Sequence, residues 1–199
     1  MRVAVLLYAG SINDYALSPL EKGPSAWERV LTFVKTIPGF AGCLVLEGKT
    51  PVPATGFCHI QREIWTVDDI LSEGRQFVAR LEEKDALAFS NLGQRSTSGG
   101  PEKIDAIVFV EGDEPLLDSA LASKLLDHYQ RYRADYAFAD GYPQGLAVEI
   151  LNPRIFPALQ ALAIKNPLQP SRGWLFRLIQ KDINAYDVET LISPHDLRE

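Results

Sequence analysis

Cysteine is scarce in this sequence, with Cys43 and Cys58 the only two among 199 residues. That number excludes a disulfide framework, and a zinc site would need histidines at ligand spacing. His59 adjoins Cys58, but His128 and His195 are scattered, so both thiols read as structural and reduced. Long apolar runs are missing too: none approaches the roughly 18 residues that a membrane-spanning helix requires. Residues 3–8 follow Met1-Arg2 in the outline of a signal peptide. The apolar stretch is short, however, and Ser11-Ile12-Asn13-Asp14 offers no cleavage site, so the expected location is the cytoplasm. Basic residues are outnumbered, 20 against 26 acidic ones, for a net charge of −6. Nucleic acid rewards clustered lysine and arginine and is therefore a disfavoured partner. A small anionic ligand is not excluded, because a local site can be positive on an acidic protein.

What is present is ordinary globular composition, 46% hydrophobic and 23% charged. The length suits one domain able to bury roughly 70% of its unfolded surface. Residues 3–8 form a continuous apolar run closed by Ala9-Gly10, the pattern of a strand covered on both faces. Pro24-Ser25 offers a helix start, with Trp27, Val30, Leu31 and Val34 on one face. Residues 41–46 read as a second strand and 59–65 as a short third. Thr66 with Asp69 makes a capping box for a helix predicted to run to Lys84. Residues 91–103 read as a loop, and 104–110 as a strong strand ending at Glu111-Gly112-Asp113. Asp118 caps the next helix. Strands follow at 136–139 and 146–151, helices at 152–162 and 171–181, and a last strand at 183–188.

Alternating strands and helices imply a mostly parallel sheet with helices on both faces. Ligands of such sheets bind beyond the carboxyl ends of the strands. Three places qualify on this reading: residues 9–22, residues 111–117 and the neighbourhood of Asp187. Of these, 111–117 is the most informative. Gly112 has no Cβ to block a close approach, Asp113 offers a carboxylate able to hold Mg²⁺ against phosphate oxygens, and Pro115 stiffens the turn. The bland alternative is a strand-to-helix turn whose acids cap and solubilise. The tryptophans Trp27, Trp65 and Trp174 read as packing, and Arg62 as half of an exposed ion pair. Residues 96–100 read as a surface loop.

Gly112-Asp113-Glu114-Pro115-Leu116 resembles the Gly-Asp-x-Pro-Leu element of sugar nucleotidyltransferases, especially the cytidylyltransferases that activate acidic sugars. Tyr142-Pro143-Gln144-Gly145-Leu146-Ala147-Val148-Glu149-Ile150 is similar to the Tyr-Pro-x-Gly-Leu-Asp-Val-Glu-Val segment of spore-coat polysaccharide cytidylyltransferases. Tyr186-Asp187-Val188-Glu189-Thr190, followed by Asp196-Leu197, more loosely resembles the closing Val-Asp-Thr…Asp-Leu of those enzymes. The resemblance implies a GT-A-like, Rossmann-related α/β fold over residues 1–199. It also implies transfer of CMP, or another nucleoside monophosphate, from the triphosphate to a sugar or sugar acid. Asp113 and Asp187 would hold Mg²⁺, with Glu189 as the fallback for the second position. Ala9, Gly10, Ser11 and Gly112 would meet the nucleotide, while Gly145 and Glu149 would face the sugar.

One element departs from the pattern. Active members carry Arg-x-Gly-Ser-x-Arg-x-x-x-Lys after the first strand, whereas here the stretch is Tyr8-Ala9-Gly10-Ser11-Ile12-Asn13-Asp14-Tyr15. Both arginines are gone and Lys22 is the one nearby cation, expected to act with Asp113. Each charge-assisted bond lost costs on the order of 1.5–3 kcal/mol, which counts against catalysis. The degenerate loop and the tail from Ile183 to Arg198 also resemble the N-terminal domain of spirochaete spiro-SPASM proteins. In that family such a domain precedes a radical-SAM region. The stop at Glu199 reads as the edge of one domain of a longer protein, with the radical-SAM/SPASM part as fused partner. Two alternatives stand beside transfer: a non-catalytic domain binding a nucleotide, nucleotide-sugar or partner, and a GT-A glycosyltransferase. Glu111-Gly112-Asp113 only approximates the Asp-x-Asp motif of the latter.

Overall fold

All seven residues of β1 (Val3–Ala9) are buried, as a strand covered on both faces requires. In the computed structural model, which describes residues 1–21, 23–91 and 102–195 (for 85–91 the backbone alone), β1 lies mid-sheet. Its parallel neighbours are β2 (Phe40–Glu47) and β4 (Ala106–Glu111). β3 (Cys58–Gln61) extends the β2 edge in parallel. On the other side β6 (Glu149–Leu151) pairs antiparallel with both β4 and β5 (Tyr136–Asp140), and β7 (Val188–Ile192) runs parallel to β5. The order is β3-β2-β1-β4-β6-β5-β7, with β6 the single reversed strand among the described residues.

The period of two along β1 divides the core. Val3, Val5 and Leu7 face a layer with Trp27, Val30 and Val34 of α2 (Ala26–Val34), following the four-residue α1 (Asp14–Leu17). Leu125, Leu126 and Tyr129 of α4 (Ser119–Tyr132) complete that layer. Ala4, Leu6 and Tyr8 face the opposite layer, with Ile70, Leu71 and Phe77 of α3 (Val67–Asn91). Phe156 and Leu159 of α5 (Phe156–Lys165) join them, as do Trp174 and Leu178 of α6 (Trp174–Ile179). Each such side chain contributes roughly 1.5–3 kcal/mol by leaving water. No helix among the described residues is long and apolar enough to cross a membrane.

The predicted helix starts agree with the observed caps. Ser25 and Glu28 form a full capping box, Thr66 and Asp69 exchange hydrogen bonds of 3.0 and 3.1 Å, and Asp118 accepts from the Leu121 amide at 2.8 Å. The strands expected at 59–65 and 146–151 are shorter, as Cys58–Gln61 and Glu149–Leu151. α3 continues past Lys84 to Asn91. The loop read at 96–100 lies outside the described residues.

The last strand needs a larger correction. Gln180–Ala185 is a 3₁₀ segment with no buried residue. β7 begins only at Val188, because the Asp187 carbonyl accepts from the Asp135 amide at 2.8 Å and thereby sets the pairing with β5. Asp187 therefore precedes the strand near whose end it was expected to lie.

Candidate functional site

Phe109 and Glu111 are two residues apart on β4 and so share one face of the sheet. The chain then turns at Gly112, whose amide donates to the Tyr8 carbonyl at 2.8 Å and ties the turn to the end of β1. A Cβ at position 112 would stand 2.9 Å from the Trp27 ring and 3.1 Å from the Tyr8 oxygen, so this approach is open to glycine. The Asp118 amide donates to the Leu146 carbonyl at 3.0 Å and draws the β5–β6 connection over the same tip.

A cavity of about 230 Å³ opens beside this turn. Glu111 and Phe109 of β4, Tyr136 and Phe138 of β5, Gly145 and Glu149 before and on β6, and Glu114, Arg172 and Phe176 line it. Gly145 holds φ at 81°, a conformation natural to glycine, and a Cβ there would meet the Glu114 side chain at 3.6 Å. Glu149 accepts from the Tyr136 hydroxyl at 2.7 Å. Glu111 Oε1 has neither solvent nor a hydrogen-bond partner, and Trp174 Nε1, behind Phe109, is likewise unpaired.

Three carboxyls crowd this space, and enclosure raises the pKa of each. Burial first, then the charges of Glu114 and Asp113, push Glu111 up to about 8. Burial pushes Glu114 up to about 7 against the pull of Arg172. Burial likewise lifts Glu149 to about 7 despite the Tyr136 hydroxyl. Burial and the Glu111 charge together hold the Tyr8 phenol up at about 12.

Arg172 is the cation of the cavity wall, and it is already committed. Its Nη2 donates to Asp113 Oδ1 at 2.6 Å and its Nη1 to Glu114 Oε1 at 2.8 Å. The guanidinium thus spans the two acids next to Gly112, where the resemblance expects a divalent cation. Asp187 does not assist. Ile107 lies level with Leu151, Leu151 with Tyr136, and Tyr136 with Val188, so Asp187 sits at the amino end of the strands. Asp113 lies beyond the carboxyl end of β4, seven residues past Ala106, a separation on the order of 20 Å at about 3.3 Å per residue. Metal contacts of about 2.0–2.6 Å cannot bridge it. Asp113 and Asp187 therefore do not converge on one ion, and the expected pair is corrected. Glu189, the fallback, faces His128 Nε2 at 3.1 Å. No group of three His, Cys, Asp or Glu among the described residues could hold a metal.

The expected nucleotide residues Ala9, Gly10, Ser11 and Gly112 lie at the carboxyl ends of the adjacent parallel strands β1 and β4. The Ile12 amide donates to the Ala9 carbonyl at 3.3 Å, closing the turn through Gly10 and Ser11. Residues 9–21 contain no lysine or arginine. Lys22 lies outside the described residues. Gly145 and Glu149 face the cavity across from Glu111. Arg172 and Phe176 went unnoticed in the sequence because nothing local marks them. Tyr136 and Phe138 carried a usable signal, two aromatics at strand spacing on one face.

No family model matches the chain. An uncharacterized protein of Treponema pallidum (strain Nichols) is 25% identical, over 77% of this chain and 82% of its own. A cytidylyltransferase from Leptospira borgpetersenii serovar Hardjo-bovis superimposes with a TM-score of 0.64 at 14% identity, over 99% of this chain and 77% of its own. CMP:2-keto-3-deoxy-manno-octonic acid synthetase complexed with CTP gives 0.59 at 11%, over 97% and 90%. Rv0371C from Mycobacterium tuberculosis H37Rv, in complex with manganese, gives 0.58 at 13%, over 100% and 93%. The strand order, the reversed β6 and these superpositions establish the fold: an α/β, GT-A-like domain built as the cytidylyltransferases are.

Proposed function

We propose that this chain is a ligand-binding domain on a cytidylyltransferase frame, holding a sugar-sized molecule or its nucleotide conjugate without transferring nucleotides. The Arg172 fork across Asp113 and Glu114 carries this reading. Transfer needs a cation to neutralise charge developing on the triphosphate, and here the acids that would grip one are spent on an arginine. The loop at residues 9–21 lacks the positive charge that would compensate. The cavity survives, with room for about eight waters at about 30 Å³ each, the scale of a monosaccharide. A fused radical-SAM/SPASM region remains a proposed partner, in keeping with the spirochaete relative.

A second reading, transfer of CMP from CTP to a sugar or sugar acid, is favoured by one observation. The Asp113 side chain stays 42% exposed at the tip of β4, beside the end of β1. Pyrophosphate release from CTP with sugar acceptors and Mg²⁺ separates the two. The binding reading expects no release, together with metal-independent binding of a sugar or CMP-sugar. Release that disappears in Asp113→Ala would establish transfer.

A further inference from the structure

We infer that the cavity between β4, β5, β6 and α6 takes a small organic cation, a sugar-sized molecule carrying a protonated amine. The inference rests on the binding reading above and names its ligand class.

Acidic side chains outnumber basic ones on the cavity wall, Glu111, Glu114 and Glu149 against Arg172. Arg172 is consumed by Asp113 and Glu114. Glu149 accepts one hydrogen bond, from the neutral Tyr136 hydroxyl, with the Arg177 charge acting on it from further off, and Glu111 Oε1 has no hydrogen-bond partner. Glu111 and Glu149 are also close neighbours. Phe109 lies directly opposite Glu149 in the β4–β6 ladder, and Glu111 is two residues further on the same face. Diagonal pairs of this kind hold their Cβ atoms about 7–8 Å apart. Both carboxyls line the cavity and lie close enough for their charges to act on each other.

The remaining walls decide which cation fits. Phe109, Tyr136, Phe138 and Phe176 surround the space, with Tyr136 and Phe138 stacked at 5.6 Å and Phe138 and Phe176 at 4.8 Å. A hard dication demands a shell of about six oxygens, which aromatic rings cannot supply. An ammonium needs fewer oxygens and is drawn to ring faces. It could donate to the carboxyls that line the cavity. An ammonium would favour the ionised form of these carboxyls, whose pKa values burial raises, which neither an anion nor a neutral polyol can do.

The test uses three probes of matched shape on the whole chain: D-glucosamine, N-acetyl-D-glucosamine and D-glucose, titrated calorimetrically at pH 7. The expected result is that glucosamine binds at least about tenfold tighter than either neutral sugar, a difference of about 1.4 kcal/mol. Glu111→Gln and Glu149→Gln, verified as folded by circular dichroism, should each shrink that preference. Equal affinities, a preference for the neutral sugars, or a preference untouched by both variants overturns the inference and leaves the binding reading in place. Absence of binding by all three overturns it as well. Only CTP-dependent pyrophosphate release would take the underlying reading with it.

Discussion

At the carboxyl end of β4, Glu111, Asp113 and Glu114 crowd around one arginine and an open cavity. At the amino end of β5 and β7, Asp135 and Asp187 are shared out among backbone amides and Arg154. Asp135 is buried, with Oδ1 accepting from Arg154 Nε at 2.7 Å and Oδ2 from the Asp187 amide at 3.2 Å. Its own backbone joins three strands, donating to the Asp187 carbonyl and accepting from the Asn152 amide, each at 2.8 Å. Arg154 also approaches Asp187 Oδ2 at 3.8 Å. One end spends its carboxylates on holding strands together. The other leaves them short of partners, which costs folding energy and favours a ligand.

The largest expected effect lies at the structural end. Asp135→Ala strips a buried acceptor from Arg154 and from the Asp187 amide. It should lower unfolding free energy by about 2 kcal/mol, the scale of a buried group left unpaired, as read by urea denaturation. An effect below about 0.5 kcal/mol would break the contrast drawn here.

A pH series sharpens it. Glu111 ionises near 4.5 when unfolded but near 8 in the fold, so between those values the folded chain holds the extra proton. Stability therefore falls as pH rises through that window. Glu114 and Glu149, raised to about 7, add to the loss in the same direction. Glu111→Gln should make the fall from pH 5 to pH 8 visibly shallower in thermal melts, and an unchanged slope would refute the assignment. The smallest effect is expected at Asp187, whose side chain is 78% exposed. Asp187→Ala should shift stability by no more than about 0.5 kcal/mol and should leave ligand titrations at the cavity unaltered.

How much of this could be read in advance follows the same division. β1 and β4 are continuous apolar runs bounded by glycine, so their ends, and the turn at Gly112-Asp113, were legible from residue type alone. The caps at Ser25, Thr66 and Asp118 were legible because a cap is a local hydrogen bond. The start of β7 is not legible from residue type, because it is set by a bond to Asp135, 52 residues earlier. That later start moved Asp187 to the opposite end of the sheet. Arg172 was illegible for a related reason: its partners are 58 and 59 positions away. Local chemistry was visible, and long-range pairing was not.

Mn²⁺ titration followed by electron paramagnetic resonance, with and without CTP, bears most directly on the claim that Arg172 stands where a divalent cation would. The account predicts no CTP-dependent Mn²⁺ uptake by the parent protein, and measurable uptake once Arg172→Ala frees Asp113 and Glu114. Stoichiometric uptake by the parent in the presence of CTP, abolished in Asp113→Ala, would contradict it.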